Sequence, residues 1–426
     1  MNYKITNGKL LLFDGKDFSI AEKDLYVRDG LLSFLPFKEG EAFEEFDARS
    51  RLVMPGLINM HTHAYMTLMR NYADDVPFGE WLFNRVMPVE DHLPDEAAYW
   101  ASLLGIAEMI SSGTTCFMDM HMYCTQSPRA ASDAGIRAYI GRGLVGEDLY
   151  TDENGVRRFR EAMKEKEEYE SSLIRFVLSP HAIYSCSPSF YSQVAEESKK
   201  RSMLKQTHLS ESVSEVQDCI EKYGKTPVQV LYDTGFLDKD TVLAHCVQMQ
   251  GDDLDLILKS GASIATNPAS NAKLGNGFAP AANAQKMGIN LCIGTDGTAS
   301  NNTLNMFREM GLLSLIHKGI SSDPTAMPAT AVLSAATVNA AKALSRDGEL
   351  GCIAEGAAAD LIFLDLNAVS LFPNNNIISS LVYSANGSEV DSVMIDGKFV
   401  MRKKELLTID LERVYFEVQK TADKYL

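Results

Sequence analysis

The strongest constraint on the fold is an alternation of short apolar, β-rich runs with amphipathic helical stretches, repeated eight times between residues 55 and 351. The β-rich runs are GLINMHTH, GTTCFMDM, RAYIGRGL, IRFVLSPH, MLKQTHLS, TVLAHCV, ASIATNPA and INLCIGTD. Helical patterns lie between them, among others at residues 94–111, 157–169, 189–200, 213–223 and 251–259. Eight strand–helix units are typical of a closed α/β barrel, so we predict a (β/α)8 TIM-type barrel with its functional site at the C-terminal ends of the strands.

Both ends of the chain carry a different pattern, in which short alternating segments are separated by turns. Typical hairpin turns occur in these segments at Asn7-Gly8, Asp29-Gly30 and Asp396-Gly397. We therefore predict a small composite β-sandwich domain formed by residues 1–54 and 352–426, with the barrel spanning residues 55–351. Two separate edge hairpins are the alternative that the pattern leaves open.

Polar and titratable residues collect where the predicted strands end. They are His61, His63, Arg142, His181, His208, His245 and Asp296. Five of the chain's eight histidines fall at such positions, which a purely structural barrel would not require. His61 and His63 project to the same side of an extended strand, and neutral imidazole is a good ligand for zinc and similar ions. The pair is therefore half of a predicted metal site.

Charge and cysteine content restrict the partners and the compartment. The net charge of −17 disfavours nucleic acid, since binding phosphates needs a basic surface, and it suits a neutral or cationic small molecule. The seven cysteines include no C-x-x-C pair, which predicts reduced thiols and a cytoplasmic location. We also expect neither secretion nor membrane insertion, because the sequence shows no basic leader with an apolar core and no run of membrane-spanning length.

Several ordered segments carry a family resemblance. They are PGLINMHTHAYMTLMRNYADD, THLSES, LAHCV, TNPASNAKLGNG, IGTDGTASNNTLNMFREM, ATVNAAKAL and GCIAEGAAADLIFLDL. Together they resemble the amidohydrolase superfamily of metal-dependent hydrolases, and within it the subgroup of 5-methylthioadenosine and S-adenosylhomocysteine deaminases. The resemblance covers nearly the whole chain and implies a metal-dependent hydrolase barrel with a composite β domain.

The resemblance implies a four-ligand site in which His61, His63, His208 and Asp296 hold one divalent ion. Zn²⁺ is the simplest expectation, with Fe²⁺ or Mn²⁺ as alternatives that nitrogen and oxygen ligands do not distinguish. No lysine ends the fourth predicted strand, so we expect one metal ion only. Such an ion would lower the pKa of a bound water toward neutrality.

Three catalytic residues are implied in the same way. Glu211, three residues beyond His208, is expected to shuttle a proton from water to a ring nitrogen, although a solvated glutamate opening the next helix is the structural alternative. His245 is expected to orient the attacking water, with a buried structural histidine as its alternative. Asp296 is expected to double as the base that receives the proton. The implied reaction is hydrolytic deamination at C6 of adenine.

The implied substrate-binding residues are Glu90, Arg142, Arg158, His181, Glu211 and Trp81. Glu90 is expected to accept hydrogen bonds from two ribose hydroxyls, a geometry that separates ribosides from free bases. Trp81 is expected either to form an apolar wall of the pocket or to be a core residue. The chain departs from many relatives at Thr266, where they carry histidine, so the role of that position stays open.

The remaining histidines are expected to have ordinary structural roles. His121 follows the second predicted strand, and we expect a surface or packing role for it, with the pocket mouth as the alternative. His92 and His317 are expected to be helix residues away from the strand ends.

The sequence thus predicts an enzyme that deaminates S-adenosylhomocysteine, 5'-methylthioadenosine or adenosine to an inosine-type product and ammonia. One alternative is a hydrolase of another aminated or chlorinated ring, such as guanine, cytosine or a triazine. A catalytically silent barrel that serves as a scaffold is a second alternative, which the retained metal ligands disfavour. We expect a purine nucleoside as the partner. The sequence leaves the oligomeric state open, although barrels of this kind often pair through rim helices.

Overall fold

The computed structural model describes residues 2–426 and contains parallel strands at eight successive positions, the fourth of them interrupted. The strands are Leu57–Thr62, Thr114–His121, Arg137–Leu144, Ile174–Phe176 with Ser179–Pro180, Lys205–Leu209, Thr241–His245, Ser263–Thr266 and Leu291–Ile293. The first four positions form one parallel sheet and the last four form another. Each strand coincides with one of the eight β-rich runs of the sequence, and only the second extends past its run, by one residue.

Backbone hydrogen bonds also connect these two parallel sheets. On one side the Gln206 N–H donates to the Leu178 carbonyl over 3.0 Å. On the other side the Asp296 N–H donates to the His61 carbonyl, also over 3.0 Å. The parallel sheets, with helices between successive strands, fit a TIM-type α/β fold.

Apolar side chains fill the space around the parallel strands. Every residue of Leu57–Thr62, Thr114–His121 and Arg137–Leu144 is buried, as expected for strands that are covered on both faces. Ile58 and Met118 belong to one buried cluster that draws on most of the parallel strands. This packing holds the strand ends, and the polar residues on them, in a fixed arrangement.

The α-helices are Met87–Glu90, Asp95–Ser111, Gln126–Ala134, Glu153–Tyr169, Pro188–Arg201, Val213–Tyr223, Pro227–Asp233, Asp253–Ser260, Pro268–Lys273, Ala281–Met287, Thr298–Asn301, Met306–Ser321, Ala329–Ala335, Val338–Ala343, Ile377–Tyr383 and Leu411–Tyr425. Ala64–Met69 and Val369–Leu371 are 3-10 helices, and Glu80–Val86 is a π-helix. Several of the α-helices begin next to a residue whose side chain caps the helix N-terminus. At one of these N-termini, Thr226 and Gln229 form a reciprocal capping box. No helix within residues 2–426 is long and apolar enough to cross a membrane.

The remaining strands come from both ends of the chain. They are Tyr3–Thr6, Lys9–Phe13, Phe18–Glu22, Leu25–Arg28, Leu31–Ser33, Glu44–Asp47, Arg51–Pro55, Leu361–Asp365, Val390–Ile395, Lys398–Arg402 and Glu405–Leu406. Arg51–Pro55 pairs antiparallel with Leu361–Asp365, so one seven-stranded sheet contains strands from both termini. A buried ion pair between Arg137 Nε and Asp360 Oδ2, 2.7 Å apart, ties the third parallel strand to this sheet.

Two of the three predicted hairpin turns are confirmed. Asp29-Gly30 and Asp396-Gly397 each join two antiparallel strands. Asp29 and Asp396 have φ of 48° and 50°, the left-handed conformation that tight hairpin turns require.

The hairpin predicted at Asn7-Gly8 is wrong. Tyr3–Thr6 and Lys9–Phe13 lie in different sheets, and the turn carries the chain from one sheet to the other. A Cβ atom at Gly8 would lie 2.9 Å from the Cβ of Ala48, so close packing between segments accounts for this glycine.

Candidate active site

Four of the predicted site residues converge at the strand ends. His61 Nε2 lies 3.6 Å and His63 Nε2 lies 3.3 Å from the same oxygen, Oδ1 of Asp296. His63 Nε2 lies 3.2 Å from Nε2 of His208. All four side chains are buried. The end of the first strand thus meets the ends of the fifth and eighth, which the fold brings together from distant parts of the sequence.

The donor set fits a divalent metal ion. Within residues 2–426, both ring nitrogens of His61 are buried and have no hydrogen-bond partner, which is costly unless they bind something else. The Nδ1–H of His63 donates to the Met120 carbonyl (2.7 Å) and that of His208 to the His181 carbonyl (2.8 Å), so each ring can present its Nε2 lone pair to the centre. Three imidazoles and a carboxylate are ligands that zinc accepts.

Burial keeps the imidazoles of His61 and His208 neutral, which is the form that binds metals. It lowers the pKa of His61 to about 4 and the pKa of His208 well below its usual value. Burial alone would raise the pKa of Asp296, but the neighbouring imidazoles, His61 foremost, hold it well below its usual range. The carboxylate therefore carries its charge in the site.

Two serines orient the Asp296 carboxylate. Ser270 Oγ donates to Oδ2 over 2.6 Å and Ser300 Oγ donates to the same oxygen over 2.7 Å. Oδ2 is thereby occupied, and Oδ1 is the oxygen that faces the imidazoles of His61 and His63. Neither serine was predicted from the sequence, although Ser300 lies four residues beyond Asp296, one helical turn away.

Glu211 and His245 lie beside the ligand set. His245 Nε2 is 3.7 Å from Glu211 Oε2, and Asn276 Nδ2 donates to Glu211 Oε1 over 3.1 Å. Ligand atoms of Glu211, His245 and Asp296 lie within 4.8 Å of one another. Burial raises the pKa of Glu211 to about 7. Burial alone would lower the pKa of His245, but the carboxylates, Glu211 foremost, raise it instead.

Glu215, which was not predicted from the sequence either, fixes the backbone beneath Glu211. Its two carboxylate oxygens accept from the N–H groups of Ser210 (2.9 Å) and Glu211 (2.7 Å). The pattern Ser212-x-x-Glu215 is typical of helix capping, and Ser212 does accept from the Glu215 N–H over 3.2 Å. The Glu215 carboxylate, however, binds the backbone of the loop that carries Glu211.

Left-handed backbone conformations cluster at these strand ends. Ser210, His245 and Asp296 have φ of 49°, 71° and 60°, and none of them is glycine. Such a conformation costs roughly 1–3 kcal/mol for a residue with a side chain and persists where the surroundings enforce it, often at functional sites. The strain coincides with the ends of the fifth, sixth and eighth strands.

Glu90 and Trp81 lie on the segment that follows the first strand. The Tyr65 hydroxyl donates to the Glu90 carboxylate, and the Tyr123 hydroxyl donates to the Glu90 backbone carbonyl over 2.6 Å. Burial raises the pKa of Glu90 to about 7. Trp81 is buried, and its indole N–H donates to the Ala299 carbonyl over 3.0 Å, so it anchors the π-helix to the short helix Thr298–Asn301 that follows the eighth strand.

Arg142 and Arg158 have different hydrogen-bond partners. Arg142 is buried, and its Nε and Nη2 donate to Glu161 Oε2 over 3.0 and 2.8 Å. Arg158 Nη1 donates to the Gly143 carbonyl over 2.9 Å. Burial, helped by the nearby charge of Arg142, lowers the pKa of Arg158 to about 10, so it remains a cation at neutral pH.

The other four histidines are His181, which contacts a residue of the site, and His121, His92 and His317. His181 lies next to His208, with ring centroids 4.8 Å apart, and its Nδ1 is 3.0 Å from Ser185 Oγ. His121 is buried with its Nε2 3.2 Å from Glu165 Oε2, which excludes a surface role. His92 Nδ1 contacts the Pro88 carbonyl on the exposed surface, and His317 is buried on the helix Met306–Ser321.

Comparisons with known proteins place the chain in a family. The sequence pattern of the amidohydrolase family matches residues 52–400. A curated 5-methylthioadenosine/S-adenosylhomocysteine deaminase from Acetivibrio thermocellus is 41% identical over 432 residues, which cover 100% of both chains. The crystal structure of an adenosine deaminase from Xanthomonas campestris with bound zinc superposes with a TM-score of 0.93 at 30% identity, covering 99% of this chain and 98% of that one.

A more distant structure shows the fold alone. Atrazine chlorohydrolase from Arthrobacter aurescens, complexed with zinc, superposes with a TM-score of 0.89 at 22% identity, over 99% of this chain and 100% of that one. The family pattern spans most of the chain, and a relative with 41% identity matches it from end to end. The chain therefore belongs to the amidohydrolase family.

Proposed function

We propose that this protein is a metal-dependent hydrolytic deaminase that converts the adenine ring of S-adenosylhomocysteine, 5'-methylthioadenosine or adenosine into the hypoxanthine ring of the inosine-type product and releases ammonia. The observation that carries the proposal is the buried convergence of three histidines and Asp296 beside Glu211. The relatives named 5-methylthioadenosine/S-adenosylhomocysteine deaminase, at 41% and 39% identity over the full chain, support this substrate class.

The proposal includes the architecture that assembles the site. Residues 55–351 form a closed (β/α)8 barrel, and residues 1–54 and 352–426 form a composite β domain. Hydrogen bonds between the two parallel sheets support the first, and the pairing of Arg51–Pro55 with Leu361–Asp365 supports the second. In such a barrel the C-terminal strand ends share one rim, which is where this site lies.

His61, His63, His208 and Asp296 would hold one divalent cation. Three nitrogen donors and one oxygen suit Zn²⁺, with Fe²⁺ and Mn²⁺ as alternatives. When bound, such an ion is a Lewis acid that lowers the pKa of a water molecule toward neutrality.

Glu211 and Asp296 transfer the protons in the proposed reaction, and His245 orients the attacking water. As the oxygen of water adds to C6, Glu211 carries one proton of that water to ring nitrogen N1; its pKa of about 7 suits both acceptance and donation at neutral pH. Asp296 accepts the second proton and returns it to the amino group, the C6–N bond breaks, and ammonia leaves. His245, 3.7 Å from Glu211, orients the attacking oxygen from the same side.

The other predicted residues bind the nucleoside. Glu90 accepts from the ribose hydroxyls, since the two oxygens of a carboxylate together offer about four lone-pair positions to donors. Arg142, Arg158, His181 and Trp81 line the remainder of the nucleoside pocket. Trp81 does so as a fixed wall, because its indole N–H is already bonded to the Ala299 carbonyl.

A substrate panel tests the proposal. Ammonia release and the adenine-to-hypoxanthine absorbance change are followed with adenosine, 5'-methylthioadenosine, S-adenosylhomocysteine, adenine, guanine, cytosine and a chlorinated triazine. We expect turnover of the adenosine derivatives and little with free bases. Turnover confined to guanine, cytosine or the triazine would replace the proposed function by that of another ring hydrolase.

A further inference from the structure

Two tyrosines hold Glu90 from different sides. The Tyr65 hydroxyl donates to Oε1 of the Glu90 carboxylate, and the Tyr123 hydroxyl donates to the Glu90 backbone carbonyl over 2.6 Å. Both tyrosines are buried, with 2% and 8% of their surface exposed. Their rings pack edge to face, with centroids 5.3 Å apart and planes at 78°. The pair therefore fixes both the side chain and the main chain of one residue.

The two tyrosines are themselves anchored to the rigid part of the fold. Tyr65 lies two residues beyond His63, on the 3-10 helix Ala64–Met69 that follows the first strand. Tyr123 follows the second strand, and its carbonyl accepts from Nδ1 of His121 over 2.6 Å. His121 Nε2 lies 3.2 Å from Oε2 of Glu165, and both side chains are almost completely buried. This chain of contacts ties Tyr123 to the helix Glu153–Tyr169.

Glu90 needs such support because of where it lies. It ends a helix of only four residues, Met87–Glu90, which continues directly from the π-helix Glu80–Val86. A glutamate on a short helix samples many rotamers, and recognition of two vicinal hydroxyls requires a carboxylate in one fixed orientation. Tyr65 uses one acceptor position of Oε1, so the carboxylate keeps further lone pairs that can accept hydrogen bonds from a ligand.

The charges around Glu90 are consistent with this role. Burial raises the pKa of Glu90, with Asp91 acting in the same direction, whereas the hydrogen bond from Tyr65 and the cation of Arg158 lower it. Tyr123 faces Glu90 as a neutral hydroxyl, since burial raises its own pKa far above neutrality. Tyr65 therefore helps to keep the acceptor ionised as well as oriented.

We propose that Tyr65 and Tyr123 are positioning residues that set the preference for a riboside over a 2'-deoxyriboside, Tyr65 by fixing the Glu90 carboxylate and Tyr123 by fixing its backbone. The inference rests on the proposed function, because it assigns the residues that aim the ribose-binding group of that same site. Neither tyrosine lies on the proton path through Glu211, so their loss should act on KM and leave kcat nearly unchanged.

The test compares Tyr65→Phe with Tyr99→Phe, which removes a hydroxyl that donates to Asp133 over 2.9 Å between two helices outside the site. kcat and KM are measured for adenosine and 2'-deoxyadenosine. Tyr65→Phe should raise KM for adenosine about tenfold, because the Glu90 carboxylate is no longer held toward the 2'-hydroxyl and a hydrogen bond to a charged group is lost. KM for 2'-deoxyadenosine should stay nearly unchanged, because this substrate has no 2'-hydroxyl. Tyr99→Phe should change neither. A Tyr65→Phe enzyme with the native ratio of the two KM values, or with an equal fall in kcat for both substrates, would overturn the inference.

Two further measurements separate the inference from the proposed function. If the native enzyme releases no ammonia from any adenosine nucleoside, the proposed function is wrong. If the native enzyme is active and Glu90→Gln loses the riboside preference while Tyr65→Phe retains it, the inference alone is wrong. If Tyr65→Phe unfolds at a much lower temperature than Tyr99→Phe, the variant Tyr123→Phe is measured in its place. A smaller shift in the ratio of KM for adenosine to KM for 2'-deoxyadenosine supports the inference, and an unchanged ratio overturns it.

Discussion

Replacing Glu211 by glutamine removes the carboxylate that carries a proton from water to the ring in the proposed reaction. Glutamine keeps the shape, because its side-chain oxygen can still accept from Asn276 Nδ2, which lies 3.1 Å away in the native protein. The pKa of Glu211, about 7, is where acid–base catalysis at neutral pH contributes most. General acid–base catalysis is worth about 10²–10⁴-fold, so we expect kcat to fall about 10³-fold, roughly 4 kcal/mol in activation free energy.

The assay is ammonia release from adenosine derivatives, measured together with the metal content of each purified variant. Glu211→Gln should keep a full complement of metal, because the four proposed ligands are untouched. Glu221→Gln, an exposed change on the helix Val213–Tyr223, is the matched control and should behave as the native enzyme does. A Glu211→Gln enzyme with native kcat would refute the assigned proton transfer, and loss of metal from this variant would show that Glu211 belongs to the ligand set.

Three further predictions concern the metal, the pH dependence and the stability. Ser300→Ala removes a donor 2.7 Å from Asp296 Oδ2, so metal affinity should fall about 10- to 100-fold in chelator competition, and an unchanged affinity would contradict the orienting role. Because the pKa of Glu90 is about 7, this group gains a proton and loses an acceptor as the pH falls below 7; KM for adenosine should then rise, and Glu90→Gln should abolish the dependence. Asp360→Asn removes the nearer of the two carboxylates beside buried Arg137, with Asp396 Oδ1 still 3.6 Å from its Nη2, so the free energy of unfolding in urea should fall by about 1.5–3 kcal/mol, and a loss below about 1 kcal/mol would count against the pair.

The parallel strands and the convergence of the proposed metal ligands could be predicted because their signals are local or follow from topology. Apolar runs between amphipathic helices show the strand positions directly. The sequence places His61, His63, His208 and Asp296 at the C-terminal ends of parallel strands, which share one side of a TIM-type fold, and the family resemblance groups them as one ligand set. Their separations of 3.2–3.6 Å agree with that expectation.

The supporting contacts could not be predicted in the same way. Ser270 and Ser300 reach Asp296 only because the short helices Pro268–Lys273 and Thr298–Asn301, which follow the seventh and eighth strands, approach each other, and no local pattern encodes that approach. Glu215 fits a helix-capping pattern, yet its carboxylate binds backbone N–H groups in the preceding loop. Asn7-Gly8 is a sound turn signal, but a turn signal alone does not determine whether the flanking strands pair with each other.

The arginines show a similar limit. The resemblance implies that Arg142 and Arg158 both contact the substrate, which stays a prediction. In the structure Arg142 is bonded to Glu161 and Arg158 is bonded to a backbone carbonyl. Ion pairs between residues 19 positions apart depend on how a strand packs against the following helix. We therefore expect Arg158 to contribute more than Arg142 to the binding of the substrate.

The most direct test of the central claim is deamination of adenosine by the metal-loaded native enzyme in water enriched in oxygen-18. Hydrolytic attack at C6 predicts one ammonia released for each inosine formed and one labelled oxygen at C6 of that product. Absence of ammonia from every adenosine derivative, or a product without label under conditions where inosine itself does not exchange, would contradict the proposed reaction.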